Sequence, residues 1–189
     1  MAKKDLGVAS AVAPMPVLII GTYDKDGNPD AMNVAWGGQC GGKNIALNLS
    51  SHQTTDNLKE TMAFTCALAD KDHMVAADYV GIVSARKVPD KVAQAGLTPV
   101  KASHVNAPVF EEFPITMECK VLYMNEELGE TRVVGEIVNL IADESVLTDE
   151  GKIDLTKCNL ISFDTCQVGY LELGARVGNA FSDGKQLIK

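Results

Sequence analysis

Two β-rich stretches near the middle of the chain, residues 115–123 and 131–142, restrict the fold most. In the first, Ile115, Met117, Cys119, Val121 and Tyr123 fall on one face, while Thr116, Glu118 and Lys120 begin the other. A period of two belongs to a strand, where successive side chains point to opposite sides. The second stretch is similarly β-rich, and Leu128-Gly129-Glu130 supplies a turn between the two. The pair is expected to form one long antiparallel ribbon.

The N-terminal half repeats this pattern with shorter strands. Residues 16–23 form an apolar, β-branched run, closed by the turn formers Asp24-Lys25-Asp26-Gly27-Asn28-Pro29. Residues 31–36 are a second strand, and the two read as a hairpin. Gly37-Gly38 and Gly41-Gly42 punctuate the next connection. In residues 44–50, Ile45, Leu47 and Leu49 face one way, with Asn44, Ala46, Asn48 and Ser50 facing the other. A further strand is expected at 63–69. Helices are expected from the hydroxyl-capped Thr54-Thr55-Asp56 start, over 71–79, and over 90–95 behind Pro89, with a looser three-proline loop at 98–114.

Hairpin-connected strands with a few helices predict a mainly β fold, a closed antiparallel barrel with helical insertions. A parallel α/β architecture fits less well, because strands and helices do not alternate regularly. The 189 residues show no repeat, low-complexity tract or linker, so residues 1–189 are expected to form one domain.

The net charge is −8, and no basic run exists to neutralise phosphates, which argues against nucleic acid as a partner. No stretch approaches the roughly 20 apolar residues of a membrane span. The apolar residues 6–12 make a weak, short candidate for a leader, so a cytoplasmic location is expected. The five cysteines are odd in number and form no CxxC pair, as expected of free thiols rather than disulfides or a zinc site. Cys40, between two glycine pairs, is the candidate for an accessible one.

Two segments carry candidate chemistry. Ser50, Ser51, His52, Thr54 and Thr55 lie where a strand gives way to a helix N-terminus, and hydroxyls, an imidazole and unpaired N–H groups there suit a phosphate. The same residues also suit an ordinary helix cap, and Asp56 opposes an anion unless its carboxylate turns away. In Met32-Asn33-Val34-Ala35-Trp36, the sole tryptophan ends a strand beside glycines. An indole can wall a flat ring while Asn33 bonds its polar edge, or it can simply fill the barrel end. Other constellations fail: no nucleophile elbow, no histidine spacing for a metal and no dinucleotide fingerprint are present.

An ordered set of segments resembles one family. It runs through Val17-Leu-Ile-Ile-Gly-Thr-Tyr, Asp30-Ala-Met-Asn-Val-Ala-Trp and Ile45-Ala-Leu-Asn-Leu-Ser-Ser-His-Gln-Thr-Thr-Asp-Asn-Leu. Asp78-Tyr-Val-Gly-Ile-Val-Ser-Ala-Arg-Lys-Val-Pro-Asp-Lys and Leu173-Gly-Ala-Arg-Val-Gly-Asn-Ala-Phe-Ser-Asp-Gly-Lys follow in order. Together they resemble the flavin reductase-like proteins with an FMN-binding split barrel, in the flavoredoxin-type branch. The resemblance implies that Asn33, Val34, Ala35 and Trp36 frame the flavin ring. It implies that Ser50, Ser51, His52, Thr54 and Thr55 meet the ribityl chain and phosphate. Ser84 and Lys91 resemble positions that approach the flavin, Lys91 as a candidate charge partner, although both also read as ordinary surface residues. Gly41-Gly42-Lys43 departs from the proline pair common in that family.

The same resemblance implies an FMN-binding oxidoreductase of flavin reductase type, with NAD(P)H as a candidate electron donor, or an electron carrier that serves a redox protein. It also implies a homodimer.

Overall fold

A computed structural model describes residues 1–188. The long ribbon is its largest element. Strands β9 (Ile115–Glu127) and β10 (Glu130–Ala142) are 13 residues each and pair antiparallel along their length. Leu128 and Gly129 link them, both at positive φ (54° and 83°), the backbone that a tight primed hairpin turn demands.

The ribbon is the middle of a seven-stranded sheet. Its remaining members are β2 (Leu18–Tyr23), β3 (Pro29–Val34), β4 (Gly37–Gln39), β5 (Asn44–Leu49) and β6 (Ala63–Leu68), and the order is β3-β2-β6-β9-β10-β5-β4. The two edge strands, β3 and β4, are consecutive in the chain and separated only by Ala35 and Trp36. The chain therefore crosses from one edge of the sheet to the other in two residues, which requires the sheet to curl nearly shut. The fold is mostly β, a split barrel whose open seam lies at Trp36. Gly37-Gly38, expected to lie in a connection, instead begins β4. A side chain at Gly37 would come within 2.8 Å of Leu47 and 3.2 Å of Leu18, so only glycine lets the seam strand approach this closely.

Alternation along the strands divides the core. Leu18, Ile20, Val34, Ile45, Leu47, Leu49, Phe64 and Val133 fill the barrel. Val17, Ile19, Ala31, Ala67 and Ala69 point outward, where Ala77, Val80, Val92 and Leu97 from α2 (Met74–Ile82), α3 (Lys91–Gln94) and the segment after α3 cover them. Helix α1 (Gln53–Thr61) plugs the barrel with Leu58. A smaller sheet joins β1 (Met15–Pro16), β11 (Ile161–Asp164) and β12 (Gly169–Glu172).

Several local expectations are corrected. The second helix begins at Met74, three residues later than its pattern suggested, because the Asp70 carboxylate accepts from His73 N at 2.8 Å and holds a turn there. His73 consequently is half-buried, with its Nδ1 2.9 Å from Asp70 Oδ1. The three-proline loop contains a short hairpin, β7 (Pro99–Lys101) with β8 (Pro108–Phe110). Strand β8 lies over β2 and β6, and the loop between β7 and β8 reaches the buried Glu118 of β9. Thr65 Oγ1 donates to Pro108 O, and Glu118 accepts from the backbone N–H groups of Ser103 and His104. Among the described residues, no helix is long and apolar enough to cross a membrane.

Candidate flavin site at the barrel seam

A cleft of ≈ 360 Å³ opens where β3 ends and the chain crosses the seam. That volume lies within the roughly 300–1,000 Å³ usual for small-ligand sites. One wall is the backbone and side chains of Met32, Asn33, Val34, Ala35 and Trp36, and the facing wall is Gly81 and Ile82 of α2. Phe163 and Tyr170 of the small sheet close one end, their rings 6.1 Å apart. Asn48, Ser50 and His52 add polar groups along the floor. Glycine is needed at 81, since a Cβ there would lie 2.9 Å from Asn33 Cβ and drive the helix off the strand.

The cleft continues into a narrower polar chamber of ≈ 80 Å³, and Met32, His52, Gly81 and Ile82 line both. The chamber is bounded by Asp30, Gln53, Thr54, Ser84, Ala85 and Lys91. It ends on the first turn of α1. The N-cap residue His52 makes no capping hydrogen bond, which leaves that turn's N–H groups open to an outside acceptor. The His52 ring instead lies 3.3 Å from Ser50 Oγ.

The expected site residues divide into distinct roles. Asn33, Val34, Ala35, Trp36, Ser50 and His52 line the wide cleft, and His52, Thr54, Ser84 and Lys91 line the chamber. Ser51 and Thr55 line neither. Ser51 is exposed and faces Arg86, whereas Thr55 is buried and donates to Ser50 O at 2.8 Å, bracing the turn into α1. Neither threonine caps the helix as the sequence suggested, because Thr54 Oγ1 donates to Asp30 at 2.7 Å.

Lys91 also differs from its surface reading. Its side chain is only 4 % exposed, and Nζ forms an ion pair with Asp30 Oδ1 at 3.0 Å. It donates as well to the carbonyls of Val80 and Val83 at 3.3 and 3.0 Å, capping the C-terminus of α2. Lys91 thus shapes the chamber with a charge that Asp30 already neutralises. Arg86, which local patterning did not single out, is the cation beside the α1 N-terminus. It binds Asp56 and the carbonyls of Ser51 and His52, so the Asp56 carboxylate is turned away from the chamber.

Tyr170 and Asn33 meet at the aromatic end. The Tyr170 hydroxyl donates to Asp78 Oδ1 at 2.8 Å, and burial together with that carboxylate pushes its pKa up to about 12. Asn33 Nδ2 donates to Ala77 O at 3.0 Å. The wide cleft therefore offers flat apolar walls with amide groups at the rim, and the chamber offers helix N–H groups. The residues present fit a planar heteroaromatic ring that carries a phosphate tail.

Comparison with known proteins gives the family and the fold. The flavin reductase like domain matches residues 10–155. The structure is similar to flavoredoxin of Desulfovibrio vulgaris (Miyazaki F), with a TM-score of 0.92 and 37 % identity over 97 % of this chain and 100 % of that one. Flavoredoxin from Methanosarcina acetivorans aligns with a TM-score of 0.89 and 24 % identity over 99 % and 100 % of the two chains. An FMN-binding protein from Thermus thermophilus shares the fold, with a TM-score of 0.77 at 14 % identity over 95 % of this chain and 97 % of that one. Comparison with curated protein sequences returned no match.

Proposed function

Because the chain belongs to the flavin reductase-like split-barrel family, in its flavoredoxin branch, we propose that it binds FMN in the seam cleft and passes electrons through it. The observation that carries this reading is the continuity of the wide cleft with the polar chamber at the α1 N-terminus. A ring would lie in the first, walled by Val34, Ala35, Trp36 and Ile82, and a phosphate would meet the first turn of α1 at Gln53 and Thr54 in the second. Helix N-termini favour anions through both their free donors and the helix dipole.

Bound FMN supplies the hydride and single-electron chemistry. The chain would hold the ring between β3 and α2, with Phe163 and Tyr170 beside it and the Tyr170 hydroxyl anchored on Asp78. No acid–base side chain is required of it. Trp36 is 49 % exposed at the mouth, where a redox partner can approach the ring closely.

The finer assignment is an oxidoreductase of flavin reductase type that takes electrons from NAD(P)H. The flavoredoxin similarity favours a second reading, an electron carrier that exchanges with a redox protein and does not turn over nicotinamide. Anaerobic mixing of FMN-loaded protein with NADH and with NADPH separates them. Bleaching of the flavin absorbance supports the reductase, and its persistence with both nucleotides supports the carrier. Protein that takes up no FMN overturns both.

A homodimer also fits. A groove of ≈ 520 Å³ exposes Leu140 and Leu155 above the buried Leu18, Ile45 and Ile115, and association with a second copy would cover those exposed side chains. Sedimentation equilibrium tests this, a monomer at micromolar concentration being the opposing result.

A further inference from the structure

Two asparagines at the rim of the cleft have their amide orientations fixed from behind. Asn48 stands opposite Arg132 in the β5–β10 ladder, so the two side chains share a face of the sheet. Arg132 Nη1 donates to Asn48 Oδ1 at 3.2 Å. A guanidinium can only donate, so the amide oxygen must turn toward Arg132 and the Nδ2 donor away from it. Asn48 N also donates to Trp36 O at 2.8 Å, which ties this residue to the seam corner. Among the described residues Asn48 Nδ2 makes no hydrogen bond, and the residue lines the cleft. Asn33 is fixed in the opposite sense. The Ala77 carbonyl can only accept, so Asn33 Nδ2 faces it and Oδ1 is left over. The cleft thus presents one oriented donor and one oriented acceptor.

Resting on the FMN reading above, we infer that Arg132, acting through Asn48, holds a hydrogen-bond donor against the acceptor edge of the flavin ring and favours the ring's reduced form. Reduction adds electron density to the ring's oxygens and nitrogens. A donor that cannot rotate away binds the more negative form more tightly. The nearby cation polarises the Asn48 amide and strengthens Nδ2 as a donor. Arg132 is itself held on its other side by Glu127, 3.6 Å from Nε. It is a positioning residue, and Asn48 is the group that touches the ring.

The test is the two-electron midpoint potential of the FMN-loaded protein, measured anaerobically against a reference dye. Asn48→Leu and Arg132→Leu are each expected to make the potential more negative by about 30 mV, a tenfold loss of preference for the reduced ring. Asn48→Val serves the same purpose if the leucine variant does not fold. The double variant is expected to match the Asn48 variant alone, because the arginine acts only through the amide. An unchanged potential in Arg132→Leu overturns the inference. So does an Arg132→Leu shift that persists once Asn48 is replaced, since that is a through-space field. Wild-type protein without a flavin spectrum would overturn the FMN reading itself, a result distinct from an unmoved potential.

Discussion

Lys91 Nζ lies 3.0 Å from Asp30 Oδ1, with the two side chains 4 % and 3 % exposed. Thr54 also donates to Asp30, and Lys91 also donates to the last turn of α2, so one buried pair ties β3 to both helices around the chamber. Removing one member strands a charge in a low-dielectric interior, which costs about 3–5 kcal/mol. Asp30→Asn is therefore expected to lower unfolding free energy by about 3 kcal/mol in urea. Asp30→Asn combined with Lys91→Met should recover much of that loss. Since the ammonium is already engaged, Lys91→Met should leave the ratio of FMN to riboflavin affinity unchanged. A collapse of that ratio would show that Lys91 reaches the phosphate.

The phosphate assignment rests on backbone rather than on hydroxyls. Gln53 is the first helical residue of α1, and its predecessor His52 is extended (φ −127°, ψ 169°), a conformation that proline accepts on its C-terminal side. Gln53→Pro deletes one N–H at the chamber while the helix survives. A charge-assisted hydrogen bond is worth about 1.5–3 kcal/mol, so FMN affinity should fall roughly 10- to 100-fold with riboflavin affinity unmoved. Thr55→Val, whose hydroxyl only braces the turn, should spare the ratio. Fluorescence titration with both flavins checks this, and equal losses for the two ligands in Gln53→Pro would remove the phosphate from α1.

How much of this was legible depends on whether one strand or several elements decide the matter. The ribbon and its turn follow from alternation and from Gly129, both local properties. Glu118 shows the limit. Its place on the second face of β9 was readable, but its burial under residues 103–107 depends on a hairpin hidden in a proline-rich stretch. Asn33 and Trp36 stood out by residue type at a strand end. Asn48 did not, because an asparagine in an alternating strand looks like an ordinary outward position until Arg132, 84 residues later, is placed opposite it. Lys91 read as a surface cation for a related reason: its partner Asp30 lies in a distant hairpin. Family resemblance located the cleft, while pairing across the sheet decided which donors in it are free.

Tyr170 supplies a pH signature. Its pKa, raised to about 12 by burial and then by Asp78, exceeds that of an unfolded tyrosine near 10. Between those values the folded chain keeps a proton that the unfolded chain releases, so stability falls as pH rises from about 10 to about 12. Below pH 10 the hydroxyl is protonated in both states and contributes no slope. Tyr170→Phe should flatten that part of the stability profile. In an ultraviolet titration it should also remove one late-ionising phenol. Retention of that late phenol would assign it elsewhere, with Tyr23 the alternative, since burial raises its pKa too.

Gly81 separates cleft shape from fold stability. It lies on the exposed side of α2, where alanine is normally the better helix former by about 1 kcal/mol. Here an added Cβ would lie 2.9 Å from Asn33 Cβ, and the atoms beyond it are the Asn33 amide that is already bonded to Ala77 O. The strand cannot retreat, because Asn33 is paired with Ile19 in the barrel. The strain must pass into α2, whose Ile82 forms the facing wall, or into the Asn33 amide at the rim. Gly81→Ala is therefore expected to weaken FMN at least tenfold while the thermal midpoint changes by only a few degrees, as the helix gain offsets part of the contact strain. Calorimetry with and without flavin reads both quantities at once. Unchanged FMN affinity in a folded Gly81→Ala protein would mean that the ring does not lie between β3 and α2.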